Sequence, residues 1–258
     1  MTNSAPAADS EQAEIKVHPW AGVTAEHLRL IRLAPLPGDR ATGNRGLRFA
    51  QLGRVERHSP EESLLRLSID LPQQMTLPGH NTLEVWADHR SREVRFGLDG
   101  GLHIEPANRG LGRFLLAQGI GWAKRRFAAY AVEGQALAAK DALTDDARGC
   151  RDQFLRAQGF RVEYLDPAQL KGRCEADVVG TLRNDWNNDK IQLIDPLDAA
   201  GMLEQADHLI RQQEQQLRQR DDTVARLSRD DSALRFSIAC LVVFCTFQAG
   251  LLIWMASH

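Results

Sequence analysis

The run Phe236–Ala256 (FSIACLVVFCTFQAGLLIWMA) contains no charged residue. At 1.5 Å per helical residue, about twenty apolar residues match a hydrocarbon core roughly 30 Å thick. A water-soluble core helix of that length seldom goes without one charge, so the run is expected to span a membrane. Arg226, Arg229 and Arg235 precede it, and only Ser257 and His258 follow. The positive-inside rule then places the bulk of the chain in the cytoplasm, in a tail-anchored arrangement with the C-terminal tip across the membrane. Trp254 falls where an interfacial aromatic belongs. Cys240 and Cys245 read as apolar filler. Of the 32 basic residues 27 are arginine, a bias of GC-rich bacterial genomes, which points to a bacterial inner membrane; otherwise tail anchoring would point to the endoplasmic reticulum or outer mitochondrial membrane.

The polar stretch just before this run carries its own period. From Met202 to Arg235 there is no Gly or Pro. With Leu203 at heptad position a, the a series is Leu203, Ile210, Leu217, Val224 and Asp231, and the d series is Ala206, Gln213, Arg220, Leu227 and Leu234. That pattern reads as a coiled-coil stalk; the polar d residues leave a single solvated amphipathic helix as the other reading. The same frame continues through Ile238, Leu241, Cys245, Gln248, Leu252 and Met255. Gln248 is the only amide in the apolar run. A lone amide in lipid gains about 0.6–2 kcal/mol from a partner, and the same residue on a second chain supplies one. A bond to its own helix backbone is the alternative. The expectation is a homo-oligomer, most simply a parallel dimer through the stalk and Gln248.

Everything upstream must fold in water. Residues 1–20 begin small and polar, without an apolar signal region, and read as a disordered tail. Residues 21–198 read as one domain, 199–235 as the stalk and 236–256 as the span. Within the domain, short apolar runs lie at His27–Leu33, Leu47–Val55, Leu64–Leu71, Thr82–Ala87 and Glu93–Leu98, bounded by Pro, Gly and Asn. They predict five mostly antiparallel strands, although Pro60–Leu65 would also suit the start of a helix. Gly101–Ile104 reads as one more strand. Leu111–Phe127 has helical periodicity. Gln135–Ala139 reads as a buried strand, Asp145–Gln158 as a helix opened by acids and closed by Gly159, and Val162–Leu165 and Ala176–Thr181 as closing strands. The fold class is mixed α/β (α+β), with a mostly antiparallel sheet flanked by helices.

The segment 101–160 carries the chemistry. GLHIEPANRGLGRFLLAQGIGWAKRR reads as a strand, a glycine turn and a helix. Gly110 and Gly112 would let a backbone approach a ligand, and the free N–H groups of the helix start suit a pyrophosphate. No Lys-Ser/Thr follows, so this is not a Walker A loop, and the G-x-G-x-x-G spacing of a dinucleotide site is incomplete. The segment resembles the GNAT-type N-acetyltransferase family. There a strand leads through a P-x-x-R-G-x-G-like loop into a helix with a Leu–Leu pair, here Pro106, Arg109, Gly110, Leu111, Gly112 and Leu115–Leu116. A second family element, a helix ending in Tyr-x-x-x-Gly-Phe, is matched in part by Leu155, Gly159 and Phe160.

The resemblance implies a GNAT-like sheet whose central strands splay around acetyl-CoA as co-substrate. It implies pairing of the pantetheine arm with Gly101–Glu105, Ile104 among them. The N–H groups of Arg109, Gly110, Leu111, Gly112 and Arg113 would hold the pyrophosphate, with charge added by Arg109 and Arg113. The reaction would be attack of a substrate amine on the thioester. Glu105 is the leading general base and His103 the second. Aligned on the glycines, the family's Arg/Gln position falls on Ala107; aligned on Arg109, Phe114 sits where Gly or Ala is usual, and both registers stay open. The family's frequent tyrosine acid is Leu155 here, and Tyr164 lies nearby out of register. Each of these residues also has a plainer reading: Glu105 as a solvated carboxylate, His103 as a packed histidine, and the arginines as solvated helix-start charges.

A formal net charge of −2 gives no reason to expect nucleic-acid binding. Four cysteines without a CxxC pair, and no Cys/His cluster at ligand spacing, predict neither a disulfide scaffold nor a metal site. Two functions are therefore expected: a membrane-tethered acyl-CoA-dependent N-acyltransferase, or a non-catalytic GNAT-like interaction module on a membrane-anchored coiled coil.

Overall fold

The computed structural model describes residues 18–20, 22–39, 43–72, 79–98, 101–138, 144–167, 169 and 171–257. The chain divides into two compact units, Met1–Asp195 and Pro196–His258. In the first, a nine-stranded sheet forms around alternating apolar residues. Strands β1 (His27–Leu33), β4 (Arg48–His58), β5 (Glu62–Asp70), β6 (Thr82–Asp88) and β7 (Glu93–Arg95) lie side by side and antiparallel, with β11 (Ile191–Ile194) outside β1. Next to β7 comes β8 (Ala131–Leu137), parallel to it, followed by β10 (Gly172–Val178) and β9 (Arg161–Tyr164). A separate hairpin pairs β2 (Leu36–Asp39) with β3 (Gly43–Arg45). Helix α1 (Leu111–Phe127) connects β7 to β8, and α2 (Asp145–Ala157) connects β8 to β9.

The register explains which face is dry. Leu65 pairs with Val85 and Leu67 with Leu83, while Arg66 faces Glu84 between them. The four apolar residues are all but inaccessible, and burying each such side chain contributes roughly 1.5–3 kcal/mol. Helix α1 lies on this face with Phe114, Leu115, Ile120, Trp122 and Ala123 buried. Gly119 sets its closeness, because a Cβ there would lie 2.9 Å from Val85 Cγ2 and 3.2 Å from Leu83 Cδ2. The last turn holds Lys124, Arg125 and Arg126 at the negative end of the helix dipole.

Helix α2 is bounded by local chemistry. Thr144 Oγ1 accepts from the Ala147 N–H at 3.2 Å, and Asp145 and Asp146 occupy the first turn. At the other end the Phe160 N–H donates to Leu155 O (3.1 Å) and the Gly159 N–H to Arg156 O (3.0 Å), the two bonds of a Schellman motif.

Several sequence expectations need correction. Gly101–Ile104 is not a regular strand. Pro60–Leu65 does not start a helix; Ser59 Oγ accepts from the Glu62 N–H at 3.0 Å and turns the chain into β5. The strand expected from Gln135 begins at Ala131, and the closing strands begin earlier or end sooner than their apolar runs. Strands β2, β3 and β11 are too short to stand out in the sequence. The expected N-terminal tail lies outside the described residues up to 17, but its last residues are packed: the Trp20 ring stacks at 6.1 Å on Trp86, with His18 edge-on to Trp86 at 4.8 Å.

The second unit is one helix, α3 (Pro196–Ser257), 62 residues long. Its stretch Arg235–Met255, of mean hydropathy 2.2, is long and apolar enough to cross a membrane. Leu203, Ile210, Leu217, Val224 and Leu227 are exposed along it, as are Ile238, Leu241, Leu252 and Met255.

Candidate functional site at the diverging strands

Strands β7 and β8 pair through Glu93↔Ala131 and Val94↔Val132 and then stop, although β8 runs on to Leu137. The chain after β7 stays with β6. Gly97 lies against it with φ 55°, where a Cβ would be 2.8 Å from Glu84 O, so only glycine fits. Further along, the Asn81 N–H donates to His103 O at 2.8 Å. Meanwhile β8 remains paired with β10. The two neighbours therefore part past Val94.

One side chain crosses the opening. The Leu98 N–H donates to Gln135 Oε1 at 3.1 Å, in place of a β8 carbonyl. Gln135 is only 5% exposed, and among the described residues its Nε2 has no hydrogen-bond partner. A buried donor left unpaired costs about 1–3 kcal/mol.

Asn81 fastens the other side. It is buried, with φ 56°. Besides holding His103 O, it accepts at its main-chain oxygen from the Ile69 N–H (2.9 Å) and at Oδ1 from the Glu105 N–H (2.7 Å). Leu102 and Ile104 approach Gly112 of α1, at 3.4 and 3.8 Å from where its Cβ would be. His103 and Glu105 instead meet His80. The His80 and His103 rings stack at 5.2 Å, and Glu105 Oε1 lies 3.7 Å from His80 Nδ1. Three titratable groups thus meet on one side of the segment, and Glu105 keeps half of its side chain exposed. The sequence pointed to His103 and Glu105 but missed His80. That residue sits in an unremarkable Gly-His-Asn turn, 23 positions before His103, and the fastening by Asn81 brings it in.

The loop into α1 differs from the expected phosphate cradle. Gly110 caps the helix with φ 83° and no side-chain bond, and the first turn holds no acid, so its N–H dipoles are not neutralised there. Leu111 is buried, and Gly112 serves the packing against Leu102 and Ile104. Arg109 is only 3% exposed. Its Nη1 donates to Ala34 O (3.2 Å) and its Nη2 to Gly46 O (2.8 Å), tying the loop to the ends of β1 and β3. Burial, then the charges of Arg48 and Arg45, lower its pKa; a guanidinium nonetheless stays charged. Arg113 Nε donates to Asp185 O at 3.2 Å, and its Nη2 pairs with the Asp185 carboxylate. The Nη groups of Arg109 and the guanidinium of Arg113 are thus held by protein acceptors, while Arg109 Nε is buried without a partner among the described residues. Any anion at this helix start would meet main-chain N–H groups first.

The second element also has other duties. Leu155 is buried in the core. Tyr164 donates to Asp152 Oδ2 at 2.6 Å and accepts from Arg151 Nη2 at 3.1 Å. Burial, then Asp152, raises its pKa. Tyr164 is thus tied to α2. Cys174 faces Gln135 across the β8–β10 pair, and burial pushes its thiol up to about 11, while Cys150 is exposed. Among the described residues no group of three His, Cys, Asp or Glu side chains is placed to hold a metal ion. No protein-family profile, curated protein or solved structure matches the chain.

Proposed function

We propose that the chain is an acyl-CoA-dependent N-acyltransferase of GNAT type, tethered to a membrane by α3. The observation that carries this reading is the parallel β7–β8 pair that opens past Val94 and Val132, with α1 as its crossover. In the family the resemblance points to, acetyl-CoA lies in such an opening. Here the arm would run beside Leu102–Ile104, and the pyrophosphate would meet the N–H groups of Gly110–Arg113.

The chemistry is direct transfer. The lone pair of the amine attacks the thioester carbonyl carbon, the C–S bond breaks, and the ammonium proton must leave. Glu105 takes that proton, with His80 beside it to carry it on and His103 stacked to hold the His80 ring. The leaving thiolate is protonated from this pair or from water, since the tyrosine position is Leu155. Anchoring through α3 with the domain on the cytoplasmic face of a bacterial inner membrane, and a parallel dimer along the exposed a/d stripe of α3, complete the reading.

The second reading, a non-catalytic module displayed at the membrane, draws on Leu155, Ala107 and the commitment of Arg109 and Arg113. Incubating the full-length protein in detergent with acetyl-CoA and a panel of primary amines separates the two. The enzyme reading predicts N-acetylated product by mass spectrometry. Glu105→Gln should slow it by about 10²–10⁴-fold. Acetyl-CoA binding without product from any amine would favour the module.

A further inference from the structure

Gln135 is a hydrogen-bonding residue placed where a sheet ordinarily uses its backbone. Its amide spans from β8 to Leu98, so it lies inside the opening. Its orientation is fixed: turning the amide over would set its NH₂ against the Leu98 N–H, donor against donor. The NH₂ must therefore point away from Leu98, the amide's hydrogen-bond partner among the described residues. The chain near it is buried and apolar: Phe96 and Leu98 follow β7, Leu137 lies two residues on along β8, and Cys174 pairs with Gln135 from β10. Resting on the acyl-CoA reading, we infer that Gln135 Nε2 donates to the carbonyl oxygen of the acyl thioester and holds the oxyanion that forms when the amine attacks.

The chemistry fits the placement. As the N–C bond forms, the carbonyl π electrons move onto oxygen; as the C–S bond breaks, they return. A donor fixed in a dry site, its partner oxygen on the same amide already used by Leu98, strengthens as that charge develops. The same donor distinguishes substrate from product. Acetyl-CoA presents a carbonyl oxygen, whereas free CoA leaves Nε2 without an acceptor. Gln135 would thus be a catalytic residue and the source of selectivity for an acylated cofactor.

The test is calorimetric titration of the full-length protein in detergent with acetyl-CoA, free CoA and S-ethyl-CoA, which lacks the carbonyl but keeps the bulk. The wild type should bind acetyl-CoA about tenfold more tightly than S-ethyl-CoA. Gln135→Met should erase that ratio while leaving free CoA within about twofold of wild type. Equal wild-type affinity for acetyl-CoA and S-ethyl-CoA would overturn the role of Gln135 yet leave the acyl-CoA reading standing; this comparison needs no variant to fold. A Gln135→Met protein that keeps the tenfold ratio would overturn it too. Failure of the wild type to bind any of the three would overturn both readings together.

Discussion

The main-chain N–H of Leu98 donates to the side chain of Gln135 across 3.1 Å, beyond the point where β7 and β8 cease to pair. A sheet that merely frayed would leave such an amide to water. Here both residues are buried, so the separation is built into the core and is not an exposed edge. Gly97, against Glu84 O, and Asn81, which fastens His103 and Glu105, hold the far side of the opening on β6.

Arg109 is expected to act as a clamp on the loop. Replacing it with Ala leaves Ala34 O and Gly46 O without their donor, and should cost about 1–3 kcal/mol in a urea unfolding experiment. Unchanged stability together with lost acetyl-CoA binding would return Arg109 to a ligand-facing role.

Glu56 should make stability fall in acid. Burial works to raise its pKa, but hydrogen bonds from Arg54 and from Trp122, with the charges of Arg54 and Arg126, outweigh burial and lower it below 4.5. A carboxylate with a lowered folded-state pKa stabilises above its unfolded value and loses that contribution as pH falls through the folded one. Glu56→Gln should therefore lower the urea midpoint at neutral pH, with the gap from wild type closing as the pH drops below 4.5. A gap that stays constant into acid would show that the Glu56 charge does not support the fold.

The α3 frame predicts a specific crosslink. In register, Cys245 occupies an a position and Cys240 a c position, and both are exposed on the helix. In a parallel dimer, copper-phenanthroline in membranes should oxidise two Cys245 thiols to a disulfide. Cys245→Ser should abolish the dimer band and Cys240→Ser should not, while Gln248→Leu should weaken it. Equal crosslinking through Cys240 would reject this seam.

Local features were legible and remote ones were not. The Leu111–Phe127 helix matches its periodicity, and α2 stops at the glycine of its Schellman motif, because neighbours in sequence set both. The absence of a strand at Gly101–Ile104, the arrival of His80 beside Glu105, and the capture of Arg109 by carbonyls 63 and 75 residues away depend on long-range pairing. A glycine-arginine loop reads as a ligand cradle until the acceptors of its arginines are known. Only the resemblance leads to an expectation of the opening, and the sequence at Gln135 signals no more than the start of a buried strand. Nothing in the residues near Gln135 announces that its side chain replaces a main-chain carbonyl.

The proposed activity depends on binding of an acyl-CoA in the opening past Val94, which calorimetric titration of the protein in detergent with acetyl-CoA measures. Saturable heat at one site per chain, with Kd at or below about 100 μM and lost on competition with excess CoA, is the predicted result. No heat at concentrations approaching about 1 mM would contradict it.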